Sequence, residues 1–163
     1  MRVLGIDPGS RVTGFGVVDV DGPDLSYVAA GTIRAINAGE MPSRLKRIYD
    51  GVTEIVETHS PDVLAVEEVF VANNPRSALI LGQARGVILC AGANHDLPVV
   101  EYAAREIKQA LVGKGSADKS QVGHMVRVLL GLTKAPASDA ADALACAICH
   151  GHTSRYQTRV NAS

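Results

Sequence analysis

The sequence predicts an α/β fold: a five-stranded mixed sheet, three antiparallel strands first, with helices on both faces. Three observations lead there. Residues 1–34 hold three apolar runs separated by the turn residues Asp7-Pro8-Gly9 and Asp21-Gly22-Pro23-Asp24. From Pro42 the apolar spacing lengthens to that of a helix. Two later short apolar runs, residues 63–66 and 98–102, stand between helical stretches, the pattern of crossover strands in a sheet with a parallel part.

Each element has a local reason. Residues 2–6 are apolar enough for a buried central strand and stop at Asp7-Pro8-Gly9. Residues 12–20 alternate Thr13, Phe15 and Val17 with Gly14, Gly16 and Val18, and residues 25–34 return as a third strand. Leu45, Ile48, Tyr49, Val52, Ile55 and Val56 share one helical face, and Ser60-Pro61-Asp62 ends that helix. The strand at 63–66 delivers Glu67 at its end, while Glu68 points to the other side. Asn73-Asn74-Pro75 opens an apolar helix to about residue 92. After the strand at 98–102 the chain is helical. Asp118 and Gln121 form a capping-box pattern before Val122, Met125, Val126, Leu129 and Leu130, and a last amphipathic helix covers residues 138–150.

Composition narrows the class. The chain has 163 residues, 47% hydrophobic and 20% charged, which suits one globular domain with a core that needs no disulfides. We expect that domain over residues 1–152, with residues 153–163 as a tail. Gln83 and Arg85, and Asp62 and Glu67, interrupt the longest apolar stretches well short of the ~18 residues of a membrane span. No charged n-region followed by an apolar h-region opens the chain, so a cytoplasmic protein with no membrane partner is expected. The net charge is −1, but unevenly spread. Residues 1–100 carry eight Lys/Arg against twelve Asp/Glu, and residues 101–163 carry eight against five, a modest sign of an anionic ligand near the second half.

Four acids stand out by position. Asp7 and Glu67 close predicted strands, and Asp139 and Asp142 share one face of the last helix at i, i+3, where like charges repel. Their neighbours Ala140, Ala141, Ala143 and Ala145 offer no cation. A divalent cation would turn that repulsion into attraction, and hard oxygen ligands select Mg²⁺ or Mn²⁺. Taken singly, Asp7 also reads as a turn residue and Asp139 as a helix N-terminal acid, so spacing alone leaves both readings open.

The runs GIDPGSRVTGFGV, AVEEVF, SALILGQARGV, EYAAREIKQALVGKGSADKSQV and SDAADALA resemble the RuvC family of Holliday-junction resolvases, from Arg2 to about His152. The resemblance implies a ribonuclease-H-like fold and a homodimer that makes paired symmetric nicks in four-way DNA junctions during recombination and repair. It implies a pair of Mg²⁺ ions in each active site, with Mn²⁺ as substitute, held by Asp7, Glu67, Asp139 and Asp142, and products with 5′-phosphate and 3′-hydroxyl ends. It implies the RuvA–RuvB branch-migration complex as partner. Lys108 and Lys119 match family positions that contact DNA near the cut, and Phe70 matches an aromatic that engages the junction centre.

Other DNA contacts follow from chemistry. Arg105, Lys108, Lys114 and Lys119 gather around a Gly-rich loop and a helix start, where charge and backbone N–H groups both suit phosphate. Arg76 joins them at the start of the apolar helix. That helix is apolar on more than one face, and the resemblance makes it the dimer helix, with Gly82, Ala84 and Gly86 permitting close approach.

Two motifs are set aside. Cys146-Ala147-Ile148-Cys149-His150 has the spacing of c-type haem attachment and, with His152, of a zinc site, yet lies within an amphipathic helix and reads as buried thiols. Cys90 reads as packing. Lys114 is no P-loop lysine, because Lys108 stands where the first glycine belongs. Among rivals, an actin-like ATPase or sugar kinase also opens with Asp-x-Gly, but needs a second lobe for which there is no room. A nuclease acting on RNA and a non-catalytic junction-binding protein are the alternatives.

Overall fold

The computed structural model describes residues 1–68 and 74–161, with side chains of the last helix through residue 154. The strands are β1 (Arg2–Asp7), β2 (Val12–Asp21), β3 (Asp24–Arg34), β4 (Val63–Glu67) and β5 (Val99–Tyr102). The helices are α1 (Met41–His59), α2 (Pro75–Asn94), α3 (Ala104–Val112), α4 (Lys119–Leu129) and α5 (Ser138–Asn161). The sheet order is β3-β2-β1-β4-β5, with β1–β2 and β2–β3 antiparallel and β1–β4 and β4–β5 parallel. The α/β reading therefore holds, strand for strand.

Two cores explain the central strands. Leu4, Ile6, Val17, Leu64 and Val66 face α1 and α2, whereas Val3, Val18, Val63 and Ala65 face α3, α4 and α5. A strand covered on both sides cannot alternate apolar with polar, hence the near-continuous apolar runs of β1 and β4. Helix ends follow local chemistry. Ser60, at φ 47°, closes α1 by donating its N–H to Val56 O, before Pro61. Asp118 accepts from Gln121 N at 2.9 Å while Gln121 Oε1 accepts from Asp118 N at 3.0 Å, the anticipated capping box.

The contact between α5 and the sheet is the feature that builds the site. Gly5 and Gly16 are paired across β1 and β2, and Gly14 is paired with Asp7. A Cβ on Gly5 would stand 2.1 Å from Ala143 O, and one on Gly14 would stand 2.0 Å from Asp139 O. These strand glycines therefore leave room for the α5 backbone, which lies directly on the β1–β2 backbone. Gly14→Ala must lift the first turn of α5. We expect a loss of roughly 1–3 kcal/mol in urea unfolding, as for an overpacked core. Asp139 and Asp142 ride on the displaced turn and would move with it.

Some expectations need correction. α5 does not stop at residue 150 but runs to Asn161, taking in most of the expected tail. Gly151 is a close-packing position, where a Cβ would stand 3.0 Å from Val20 Cγ2, so it passes the helix along the sheet. α2 is not apolar-buried all round. Ala84, Ile88, Ala91 and Gly92 face the core, while Leu79, Gly82, Gly86 and Cys90 are exposed. Ala84 is thus a core residue, not part of an open face, and Cys90 is a surface thiol.

Candidate active site

β1 and β4 are parallel neighbours with Ile6 opposite Val66, so their final residues, Asp7 and Glu67, emerge together at one edge of the sheet. Asp142 reaches the same place from α5, Lys119 from the first turn of α4 and Lys108 from α3. These five line a cleft of about 180 Å³ walled by Ala104, Ile107, Val122 and Ala145. Asp139 sits over Gly14, the register partner of Asp7, and its charge acts on Asp7. All four acids singled out in the sequence are brought to one edge.

Crowded carboxylates resist ionisation. Burial, then the charges of Glu67, Asp142 and Asp139, push Asp7 up to about 7, against an ordinary aspartate value of about 3.9. Glu67 is raised as well, by burial first and then by Asp142, with Lys119 and Lys108 opposing. Lys119 Nζ lies 2.8 Å from Asp142 Oδ2, the lysine side chain 77% exposed and the carboxylate 18%. Among the described residues no three His, Cys, Asp or Glu side chains already form an ion cage. The donor set nevertheless fits a hard divalent cation: it is all carboxylate oxygen, and one member is held near half-protonation by the repulsion a cation would relieve.

The other expected contacts lie apart from this cleft. Arg105 lays its stem against Gly115 and borders a separate open groove with Glu106, Gln109, Ala110 and Thr153. Lys114 is exposed on the loop before α4, and Arg76 is exposed at the first turn of α2, which Asn74 caps. Phe70 lies outside the described residues. Glu68 is exposed, as its opposite orientation on the strand requires. The Cys-x-x-Cys-His run lies inside α5, with Cys146 and Cys149 buried and His150 Nδ1 2.8 Å from Tyr102 Oη. Burial raises both thiols, which suits packing and not ligation.

Sequence reasoning missed the residues that make the site possible, Gly5, Gly14 and Gly16. The available signal was glycine at alternate positions of a strand, where its entropy cost demands a compensating close approach.

The family model "Crossover junction endodeoxyribonuclease RuvC" matches residues 3–150. A curated protein of that name from Proteus mirabilis is 60% identical over 158 residues, covering 97% of this chain and 91% of the relative. Another, from Actinobacillus succinogenes, is 59% identical over 161 residues, covering 99% and 84%. The solved Thermus thermophilus RuvC in complex with Holliday junction substrate superposes with a TM-score of 0.91 at 38% identity, covering 97% of each chain. The yeast mitochondrial Holliday junction resolvase Ydc2, at 11% identity and a TM-score of 0.67, covering 98% of this chain and 83% of that one, shares the fold. The fold is ribonuclease-H-like.

Proposed function

Because the chain belongs to the RuvC family of crossover junction endodeoxyribonucleases, we propose that it resolves four-way DNA junctions by paired, symmetric hydrolysis of two phosphodiesters. The observation that carries this reading is the convergence of Asp7, Glu67 and Asp142 in one cleft flanked by Lys108 and Lys119. Hydrolysis breaks the P–O3′ bond: water oxygen goes to phosphorus and a proton to the 3′ oxygen, leaving ligatable 5′-phosphate and 3′-hydroxyl ends. The family uses divalent metal. A pair of Mg²⁺ ions, or Mn²⁺ in their place, held by Asp7, Glu67, Asp139 and Asp142, would supply Lewis acidity for in-line displacement at phosphorus.

The chain's own groups do the rest. Lys108 and Lys119 attract the phosphate to a cleft whose acids would otherwise repel it. The apolar walls Ala104, Ile107, Val122 and Ala145 limit water around the reacting phosphate. Asp7 Oδ must release its proton before it can serve as an anionic ligand, so proton and cation compete for it and metal affinity rises with pH up to about neutrality. Replacing Lys108 by alanine should flatten the log–log salt dependence of junction binding by about 1.8, about 0.9 for each protomer of the dimer. A slope equal to wild type argues against direct contact.

Paired cuts need two sites, and we place the homodimer contact on the open face of α2. Leu79 is 72% exposed there, and a Cβ on Gly82 or Gly86 would meet nothing within 4 Å. The full chain should sediment as a dimer at micromolar concentration and Leu79→Glu as a monomer. Wild type found only as monomer overturns this. The RuvA–RuvB branch-migration complex is the partner that family membership suggests.

The deciding experiment presents a synthetic four-way junction, a linear duplex and an RNA hairpin, each with and without Mg²⁺. Symmetric nicks in the four-way DNA alone, dependent on Mg²⁺, support the proposal. Cutting of RNA alone favours the RNA nuclease, and junction binding without nicks favours a non-catalytic binder.

A further inference from the structure

We propose that Arg11, Arg34 and Arg47 form a second phosphate-binding surface, on the far side of Asp7 from Lys108 and Lys119, that holds the continuation of the strand being cut. This rests on the nuclease reading above.

Backbone pairing and the α1 N-terminal half bring the residues carrying these arginines to the turn that follows Asp7. Arg11 O, in that turn, accepts from Ala35 N at 2.9 Å and Ile36 N at 3.0 Å, which ties the turn to the end of β3. Arg34, the last residue of β3, is opposite Val12 at the start of β2. Arg47 on α1 borders a groove with Thr32 and Ile33. Arg44 braces the assembly, Nε donating to Ser10 O at 3.0 Å, so its charge meets only neutral backbone and hydroxyl oxygen.

Charge is what distinguishes this place. Residues 1–100 hold eight basic residues against twelve acids, yet four of the eight gather here. Among the described residues Arg2, Lys46 and Arg85 each pair with a carboxylate, and none of the four arginines does. Glu40 precedes α1 and Glu54 borders the Arg47 groove, without an ion pair to either arginine on that helix. Solvent exposure of Arg11, Arg34 and Arg47 leaves their guanidinium groups free for an anion.

Topology then sets the reach. β1 and β2 run antiparallel with Asp7 opposite Gly14, so Val12 and Arg34 lie beyond the end of β1, on the same sheet edge as the carboxylates. α3, α4 and α5 flank that edge on one side and α1 on the other. Arg34 is two strands from Asp7, about 10 Å, and two residues further out, about 7 Å, or roughly 12 Å in all. Phosphates of one strand advance about 3.4 Å each along the axis but also wind around it, so their direct spacing is about twice that and the contact falls about two nucleotides from the cut.

The test measures junction binding by fluorescence anisotropy across a salt series. Arg11→Ala, Arg34→Ala and Arg47→Ala are each expected to reduce the log–log slope by about 1.8, one contact of about 0.9 from each protomer of the dimer, and the triple variant by about 5.4, with Lys46→Ala, whose charge is already paired, unchanged. Methylphosphonates at the second and third phosphates from the cut, on the side where they weaken wild-type binding, should not weaken the triple variant further. An unchanged slope in the triple variant, or an equal drop for Lys46→Ala, overturns the surface while normal wild-type nicking leaves the nuclease reading intact. A wild-type chain that neither binds nor nicks the junction removes that reading, and the second surface with it.

Discussion

Asp7→Asn should lower the rate of junction nicking by on the order of 10³-fold, since several kcal/mol of transition-state stabilisation depend on an intact anionic ligand set and each 1.36 kcal/mol is tenfold in rate. The substitution keeps the shape of the side chain and removes only its charge. Asp7 terminates β1, in a cleft it shares with Glu67 and Asp142. Without its anion the remaining acids hold a cation less tightly and less accurately. Binding of the junction should not suffer. A carboxylate facing a phosphate is repulsive, so anisotropy without Mg²⁺ should give an affinity equal to wild type or tighter. Gel assays on a labelled junction give the rate, and brisk nicking by Asp7→Asn at ordinary Mg²⁺ removes Asp7 from the ligand set.

The second large effect is on stability, without metal. Asp7 ionises near 7 in the folded chain and near ~3.9 unfolded. Between those values the folded state binds more protons than the unfolded state, so stability falls as pH rises. The group contributes most below about pH 4, and its contribution is lost as pH passes through 7. From pH 5 to pH 8 that difference is about 2.5 kcal/mol, or roughly 5–10 °C in Tm for a chain of this size. Half-buried His150 is shifted downward by desolvation and acts with the opposite sign, contributing stability at high pH that is lost on acidification. It does so equally in Asp7→Asn. Differential scanning calorimetry in EDTA should therefore show the wild-type Tm dropping relative to that variant between pH 5 and pH 8. Mg²⁺ at pH 8 should restore wild type only. Parallel pH profiles for the two proteins would show that the carboxylates are not strained.

Strand and helix order was readable because each element is locally consistent. The Ser60-Pro61 stop, the Asp118–Gln121 cap and the continuous apolar strands carry their own explanation. The acids were readable because they stand at strand ends and on one helix face. What escaped depends on distant pairs. That Gly14 lies beneath Asp139 follows from a sheet register and a helix crossing that no local pattern encodes. That Ala84 turns inward while Gly82 and Gly86 turn out depends on where α2 meets the sheet, which its weak apolar asymmetry does not reveal. Helix length failed at Gly151 for a related reason: a residue that usually halts a helix here lets one slide past Val20. Arg105 and Lys114 have the right charge for phosphate, but Arg105 borders a separate groove on α3 and Lys114 stands exposed on the loop before α4, so neither lines the cleft of the acids.

The bare glycine track under α5 also bears on how the centre endures change. Where main chain rests on main chain, nothing between the two can swap rotamers, be trimmed or swell. The spacing of Asp139 and Asp142 from Asp7 is consequently insulated from mutation of the surrounding core, whose Val, Leu and Ala residues are free to trade volume among themselves. Tolerance of the interior and rigidity of the reaction centre thus coexist in one small domain, and the glycines that meet α5 main chain most closely, Gly5 and Gly14, are denied any latitude.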